Sequence, residues 1–520
     1  MNDDSDYVPN TTETETDTDL ELLEEDLQVI QEILSPAEFV KKQRSMSREF
    51  TVGTYDIDTD EECEHKTVKK ERSMSREFTV DTDSDTDEER EPEVTSVEFT
   101  EDDVSYIFED MYEEFDEYYR SNILKMSSPK YHKNMIDDIT EIYFTEWLEY
   151  GICDEDDYNE VQEFVEQVFE GYVIFSGMLE RSTPQEITET PIYISQEKKE
   201  NIREIIKNLS DIPQPAQRTK EWYEFRNNLI SASNLWKVFG TEAQVNSIIY
   251  EKCSSNENTA HPFSATDSFG SMQWGIKYEK ITVMIYESIY KTTLGEFGCI
   301  QHPKYPFIGA SPDGINVDEA SDRYGRMVEI KNIYNREITG IPKQEYWVQT
   351  QIQMETCNLD ECDFVETRIK EYADETTFYM DEEHIYKGVV LSFTDNKSSQ
   401  SIYRYMPLNT IIDKETVDEW IETTKYISKG DGLFIFSISY WYLDCFSCVL
   451  IKRNRQWFDS ALPIIKKTWD IIEKERKTGY QHRVPQRNTT NKVIVTHDLS
   501  SSYLIKHMPV GNSICLVKLE

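Results

Sequence analysis

Two carboxylates and one lysine are spaced in this sequence for chemistry on a phosphate group. Asp313 belongs to the tetrapeptide Ser311-Pro312-Asp313-Gly314, and the tripeptide Glu329-Ile330-Lys331 follows it along the chain. Carboxylate oxygens are ligands that Mg²⁺ prefers, and bound Mg²⁺ polarises a phosphate and activates a water molecule. A lysine beside the carboxylates could orient that water and offset the negative charge that develops. These residues therefore indicate metal-dependent hydrolysis of a phosphodiester bond.

Strand periodicity places Glu329 and Lys331 together. In Met327-Val328-Glu329-Ile330-Lys331 the two charged side chains share one face of a predicted strand, because side chains alternate with a period of two. Charged groups on the inner face of a sheet need a partner or a metal ion. Two alternatives remain open at this stage. Pro312-Asp313-Gly314 is a common turn tripeptide, and Glu329 with Lys331 could form a surface ion pair.

Alternating helices and strands after Pro215 predict an α/β core that carries these residues. Helices are predicted over residues 222–239, 271–290, 345–357, 414–429 and 454–477. Strands are predicted over residues 298–302, 307–310, 327–332, 364–371, 388–393 and 402–406, with two more at 492–496 and 513–519.

The net charge of −47 is unevenly distributed along the chain. Residues 1–200 carry 58 Asp and Glu against 17 Lys and Arg, whereas residues 201–520 carry 43 against 37. A chain that is acidic throughout is a poor partner for nucleic acid, because phosphate binding draws on Lys and Arg. The second part of the chain has an ordinary balance, so the total charge does not exclude a nucleic-acid partner.

The first 183 residues form two acidic segments of different character. Residues 1–100 are predicted to be a disordered tail with one short helix at 20–34. The nonapeptide RSMSREFTV occurs there at Arg44–Val52 and again at Arg72–Val80, either as a linear motif for a partner or kinase or as a duplication in a tolerant tail. Residues 101–183 are predicted to be helical. They could mimic DNA, dock a basic partner, or present a solvated acidic face.

Three further motifs flank the carboxylates and the lysine, and together the five blocks carry a family resemblance. They are Trp222 to Ser233, Trp274-Gly275-Ile276-Lys277-Tyr278-Glu279 and Tyr346-Trp347-Val348-Gln349-Thr350-Gln351. Asp313 with Glu329 and Lys331 has the D-(x)n-E-x-K form of the PD-(D/E)xK nuclease core. In order and spacing, the blocks over about residues 218–370 resemble the phage λ exonuclease and YqaJ viral recombinase family of alkaline exonucleases.

The resemblance implies a restriction-endonuclease-like fold, in which helices flank a central mixed sheet, and we assign this nuclease core to residues 216–410. The sequence pattern predicts a linker before it, at 184–215, that contains a helix over 197–209. The pattern also predicts helices at 411–480 and a C-terminal tail at 481–520.

The resemblance also implies a metal site. Asp313 and Glu329 would be the main Mg²⁺ ligands, with Mn²⁺ as a substitute. The carbonyl oxygen of Ile330 would be a further ligand, and Glu279 would bind the metal directly or through water. Lys331 would orient the attacking water.

Four other residues receive roles from the same resemblance. Gln349 and Gln351 would position the water or the lysine. Arg226 and Ser233 would bind the terminal 5′-phosphate, since a guanidinium clamps phosphate with two hydrogen bonds and a permanent charge. Ser231 stands where the family usually has threonine.

The expected function is a magnesium-dependent deoxyribonuclease that acts as a 5′-to-3′ exonuclease in recombination or replication of a large DNA virus or phage. Its partners would be double-stranded DNA ends and, by resemblance, a single-strand annealing protein. The family forms ring-shaped trimers, which the acidic extensions could cap, decorate or prevent. Two alternatives are a structure-specific endonuclease on the same core and a non-catalytic DNA- or protein-binding scaffold. Retention of Glu279, Asp313, Glu329 and Lys331 argues against the scaffold.

The sequence also predicts where the protein is found. No run of eighteen or more apolar residues is present, and the first residues lack the basic start of a signal peptide. The expectation is a soluble, intracellular protein without a membrane partner, located for a viral protein in the host cytoplasm, in a viral factory or in the virion.

Overall fold

The computed structural model of the chain describes residues 101–185, 193–215, 219–254, 270–395, 401–484, 508–510 and 513–515. The predictions for residues 1–100, with their repeat and short helix, and for a strand at 492–496 lie outside this part of the chain. The prediction for 513–519 is covered only at residues 513–515, which are a strand.

The described residues form twelve helices and thirteen strands, apart from short 3₁₀ turns. Helices α1 to α12 span Glu101–Asn122, Tyr131–Glu149, Tyr158–Ser176, Gln196–Asp211, Lys220–Asn227, Ala232–Leu235, Glu242–Cys253, Ser271–Tyr290, Gln344–Cys357, Glu375–Met380, Lys414–Gly430 and Arg455–Thr478. Strands β1 to β13 span Thr183–Pro184, Ile230–Ser231, Leu294–Gly295, Ile300–Gln301, Ile308–Ala310, Gly314–Asn316, Met327–Asn332, Glu361–Glu371, Lys387–Asp395, Ser401–Tyr405, Leu433–Lys452, Met508–Val510 and Ser513–Cys515.

The largest sheet is mixed, as predicted. Its strand order is β10-β9-β11-β8-β7-β6-β3, with β1 added to β11, and within it β7 and β8 are parallel while the other pairs are antiparallel. Side-chain alternation along β7 sends Val328 into a buried cluster with Val283 of α8, and Met327 into a different one with Val348 of α9. Helices therefore cover both faces, and the predicted α/β class is confirmed.

A second, three-stranded sheet has the order β2-β5-β4 and lies beside the first. The chain leaves it at the end of β5 and enters the large sheet at β6, so Ser311, Pro312 and Asp313 connect the two sheets. Because β5 and β6 pair with different strands, Pro312-Asp313-Gly314 is not the turn of a hairpin between them. The turn alternative for Asp313 is therefore wrong.

Two predicted elements differ from the structure. The single helix predicted over 222–239 is interrupted by β2, because Ile230 and Ser231 pair with β5 in parallel. The segment 411–480 was predicted as helices, yet the 20-residue strand β11 lies between α11 and α12. This strand pairs with β9 through its first half and with β8 through its second half, so the sheet extends well beyond residue 410.

Helices α1 to α3 form an N-terminal unit that is joined to the core. Inside the unit the Phe115 ring lies 5.3 Å from Phe169 and 5.2 Å from Tyr172, centroid to centroid. Arg181 donates to the carbonyl of Ser127 over 3.1 Å, and its own carbonyl accepts from the Trp347 indole of α9 over 2.8 Å. The segment predicted as a linker, 184–215, contains α4 and the end of β1.

Helices long and apolar enough to cross a bilayer are absent from the described ranges.

Trp441 lies in β11 and offers a test of how much this strand stabilises the core. It is 1% exposed in a cluster with Tyr278 and Ile369, whereas Phe434 of the same strand is 53% exposed. We expect Trp441→Ala to lower the free energy of unfolding by about 3–5 kcal/mol in urea titrations, because a large cavity would remain. Phe434→Ala, the matched control, should change it by about 0.5 kcal/mol or less. Equal effects would contradict the burial of Trp441.

Candidate active site

The structure brings Asp313, Glu329 and Lys331 into one cluster, here called the carboxylate–lysine cluster. The Oδ2 atom of Asp313 accepts a hydrogen bond from the backbone N–H of Ile330 over 2.7 Å. Lys331 donates from Nζ to Oε1 of Glu329. Glu329 is 1% exposed, so the alternative of a surface ion pair is wrong.

The contact between Asp313 and Ile330 depends on where β6 stops pairing with β7. The two strands are in register only at Gly314 with Val328 and at Ile315 with Met327. Beyond these two positions β6 no longer pairs with β7. The Ile330 N–H therefore donates to the Asp313 carboxylate and not to a backbone carbonyl of β6. The N–H and C=O of one strand residue point to the same edge, so we infer that the Ile330 carbonyl faces the side of Asp313.

Two glutamines of α9 donate hydrogen bonds to the Glu329 carboxylate. Gln349 donates from Nε2 to Oε1 of Glu329 over 2.7 Å. Gln353 donates from Nε2 to Oε2 over 2.6 Å and also to the carbonyl of Ser311 over 3.3 Å. Gln349 and Gln353 are four residues apart, which places them on one helix face.

Gln351 is not part of this cluster, although the sequence assigned it there. Its Nε2 donates to the carbonyl of Lys452 over 2.9 Å, and its Oε1 accepts from the N–H of Asn454 over 2.7 Å. Gln351 therefore joins α9 to the end of β11. Gln353 was missed because the motif was read by its spacing along the sequence, whereas helical periodicity pairs Gln349 with the residue four positions later.

Electrostatics make the cluster receptive to a cation. Burial raises the pKa of Asp313, and the nearby carboxylates of Glu329 and Glu279 raise it further. Burial lowers the pKa of Lys331, but the adjacent Glu329 and Asp313 carboxylates outweigh that effect and raise it overall. One lysine therefore stands against two carboxylates, the buried Glu329 and the half-buried Asp313. A divalent cation would relieve the remaining repulsion.

The donor set fits Mg²⁺ in part. Oε1 of Glu329 accepts from both Lys331 and Gln349, but Oε2 accepts from Gln353 alone among the described residues and keeps a lone pair. With Asp313 and the Ile330 carbonyl, this would supply the one or two carboxylates that Mg²⁺ uses alongside water and phosphate. Within the described ranges, no three His, Cys, Asp or Glu side chains are grouped closely enough to hold a metal.

Glu279 and Asp313 line the same cleft, which has a volume of about 530 Å³. Glu279 lies on α8 and its side chain is exposed. Lys280, Ser311 and Gly298 also line this cleft. It is the opening through which a substrate would reach the carboxylate–lysine cluster.

Arg226, Ser231 and Ser233 form a second group, here called the arginine–serine cluster. Arg226 donates from Nη2 to Oγ of Ser231 over 3.1 Å, and Oγ of Ser231 lies 3.2 Å from Oγ of Ser233. The guanidinium lies 4.6 Å from the Trp222 ring centroid. Ser231 sits in β2, which pairs with β5, the strand that leads directly to Asp313. The two clusters are therefore joined through one short strand.

Comparison with known proteins gives one family and several similar chains. Residues 221–360 match the YqaJ-like viral recombinase domain. Over 330 residues the chain is 29% identical to an uncharacterized protein of Acanthamoeba polyphaga mimivirus, and this alignment covers 56% of the chain and 57% of that protein. The chain thus spans little more than half the length of this relative.

Three solved structures that are similar to part of the chain are described as exonucleases. An alkaline exonuclease from Laribacter hongkongensis, LHK-Exo, has a TM-score of 0.30 and 19% identity, over 51% of this chain and 97% of that one. The same enzyme in complex with dAMP has a TM-score of 0.30 and 20% identity, with the same coverage. A phage-related exonuclease from Haemophilus somnus has a TM-score of 0.26 and 12% identity, over 49% and 96% of the two chains.

Replacing one of the two carboxylates of the carboxylate–lysine cluster tests whether they form a cation site. Asp313→Asn should raise the free energy of unfolding in EDTA by about 1–2 kcal/mol, because burial and Glu329 disfavour the charged form. We expect Mn²⁺ to raise the melting temperature of the unaltered protein, and the same change should remove that rise. Glu319→Gln, an exposed control, should leave the Mn²⁺ effect intact. A variant that is no more stable and still responds to Mn²⁺ would contradict the site.

Proposed function

We propose, on the premise that residues 221–360 form a YqaJ-like viral recombinase domain, that this protein is a metal-dependent deoxyribonuclease acting on duplex DNA. The observation that supports the proposal best is the carboxylate–lysine cluster, in which the half-buried Asp313, the buried Glu329 and Lys331 stand beside an open cleft. The role in viral recombination or replication is part of the same proposal.

Each residue of the carboxylate–lysine cluster would have a distinct task in hydrolysis. Asp313, Glu329 and the Ile330 carbonyl would hold Mg²⁺ or Mn²⁺, which when bound polarises the scissile phosphate and acidifies water. In the protein without metal, the carboxylates of Glu329 and Asp313 raise the pKa of Lys331 and favour its ammonium form. As an ammonium, Lys331 would donate hydrogen bonds to the attacking water and offset charge on the phosphate.

The surrounding residues would position the reacting groups. Gln349 and Gln353 hold the two oxygens of Glu329 in place, so its remaining lone pair keeps one direction. Glu279 at the cleft would contribute through a water molecule, since its side chain is exposed.

We further propose that the protein degrades DNA from a 5′ end. The arginine–serine cluster would bind the terminal 5′-phosphate, with the guanidinium of Arg226 and the exposed hydroxyl of Ser233 as donors. The pairing of β2 with β5, the strand that leads to Asp313, supports a path for the DNA from the arginine–serine cluster to the carboxylate–lysine cluster. A 5′-phosphate bound by Arg226 would then present the first phosphodiester to Asp313, and nucleotides would be released in the 5′-to-3′ direction.

Purified protein with Mg²⁺ should degrade a 5′-phosphorylated linear duplex and spare a covalently closed circle, measured by release of labelled nucleotides. Lys331→Ala and Asp313→Ala should each lower the rate by about 10²-fold or more, because each removes stabilisation of the transition state. Lys304→Ala, an exposed lysine outside the cleft, is the control and should retain the rate.

Other results of that assay point elsewhere. Cleavage of the circle would indicate a structure-specific endonuclease, and binding without cleavage would indicate a scaffold. Activity that survives both substitutions would remove the carboxylate–lysine cluster from the mechanism.

Gln351 and Gln353, two of the glutamines of α9, give a matched pair of variants. Gln353→Met should lower kcat by about 10- to 100-fold, because it frees the Glu329 carboxylate and leaves it short of a donor. Gln351→Met should instead lower thermal stability with little change in kcat, since Gln351 bonds only the backbone at Lys452 and Asn454 among the described residues. If Gln351→Met instead lowered kcat and Gln353→Met lowered only thermal stability, Gln351 would belong to the site.

A further inference from the structure

Two cationic side chains from other parts of the chain contact the C-terminal end of α5, the helix that carries Arg226. Lys252 is buried and Arg476 is half-buried. Lys252 of α7 donates from Nζ to the carbonyl of Arg226 over 3.0 Å. Arg476 of α12 donates from Nη2 to the carbonyl of Asn227 over 2.5 Å. The Asn228 N–H bonds the carbonyl of Phe225 over 3.1 Å. Three successive carbonyls at the end of α5 are therefore satisfied.

Such capping matters for a short helix. The last carbonyls of any helix lack partners within it, and an eight-residue helix without tertiary contacts is marginal in water. The Arg226 side chain extends from the last turn of α5, so fraying of that turn would move its guanidinium directly. Cations at a helix C-terminus also interact favourably with the helix dipole.

Lys252 and Arg476 are linked to each other and have few carboxylate neighbours among the described residues. Arg476 donates from Nε to the carbonyl of Lys252 over 2.9 Å, and its guanidinium lies 5.2 Å from the Trp469 ring centroid. It forms no ion pair with any carboxylate of the described residues. Lys252 is 5% exposed, and its one carboxylate neighbour in that part of the chain is the more exposed Glu251, 3.4 Å away.

We infer that Lys252 and Arg476 are positioning residues for the terminal phosphate. They hold the last turn of α5 so that Arg226 faces Ser231 and Ser233, and they add two positive charges behind that guanidinium. The phosphate site is thereby completed by α12, which lies outside residues 221–360. This inference rests on the proposed 5′-phosphate role of Arg226.

The test compares two linear duplexes that differ only in a 5′-phosphate or a 5′-hydroxyl, using the full-length protein. We expect Lys252→Met to lower the ratio of the two initial rates by about tenfold, since a charge-assisted hydrogen bond is lost. The rate on the 5′-hydroxyl duplex should stay unchanged. Arg476→Gln should lower the same ratio, and it serves in place of Lys252→Met if that variant does not fold.

Arg483→Gln is the matched control. Arg483 bonds Glu475 of α12 and Asn246 of α7, so its loss weakens the same interface without touching the end of α5. Its rate ratio should equal that of the unaltered protein. An equal fall in both rates for Lys252→Met and Arg476→Gln, with the ratio unchanged, would overturn the inference.

Different results of this experiment would contradict the proposed function and the inference. An unaltered protein that degrades both duplexes at one rate would overturn the proposed selection of 5′-phosphorylated ends, and the inference with it. A clear preference in the unaltered protein that persists in Lys252→Met and Arg476→Gln would overturn the inference alone.

Discussion

The buried carboxylate of Glu329 is the group on which the arrangement of the large sheet and α9 depends. A carboxylate that is 1% exposed is strongly destabilising unless its oxygens accept hydrogen bonds. Lys331 supplies one donor from the same strand, and Gln349 and Gln353 supply two from the helix. Neither β7 nor α9 can shift without exposing or unpairing Glu329. The same contacts that make its burial tolerable therefore also orient it toward Asp313.

Local periodicity was sufficient to predict the centre of this arrangement. The alternation in Met327 to Asn332 predicts a strand with Glu329 and Lys331 on one face, and the structure has a strand with those bounds. Helix α8 also has the predicted bounds, Ser271–Tyr290. In both cases the pattern of polar and apolar residues agrees with the burial that the fold imposes.

The rest depended on pairing between distant segments. Residues 230 and 231 read as part of a helix, but parallel pairing with β5 overrides that preference. Strand β11 was missed between two correctly predicted helices, because its second half changes partner from β9 to β8 and its exposed and buried residues do not alternate regularly. Lys252 caps α5 at Arg226, 26 positions away in the sequence, and Arg476 caps it at Asn227, 249 positions away. Sequence spacing does not reveal contacts over such separations.

The N-terminal helices are better understood as a structural part of the core than as an appended acidic surface. Several of their carboxylates are engaged within the unit, as Asp110 with Tyr143 and Asp138 with Tyr118 show. Arg181 is buried between the unit and α9, and burial lowers its pKa to about 10. A guanidinium in such a position needs carbonyls from both sides, and Ser127 and Pro342 provide them. Loss of the unit would expose this charge and loosen the start of α9, the helix that holds Glu329.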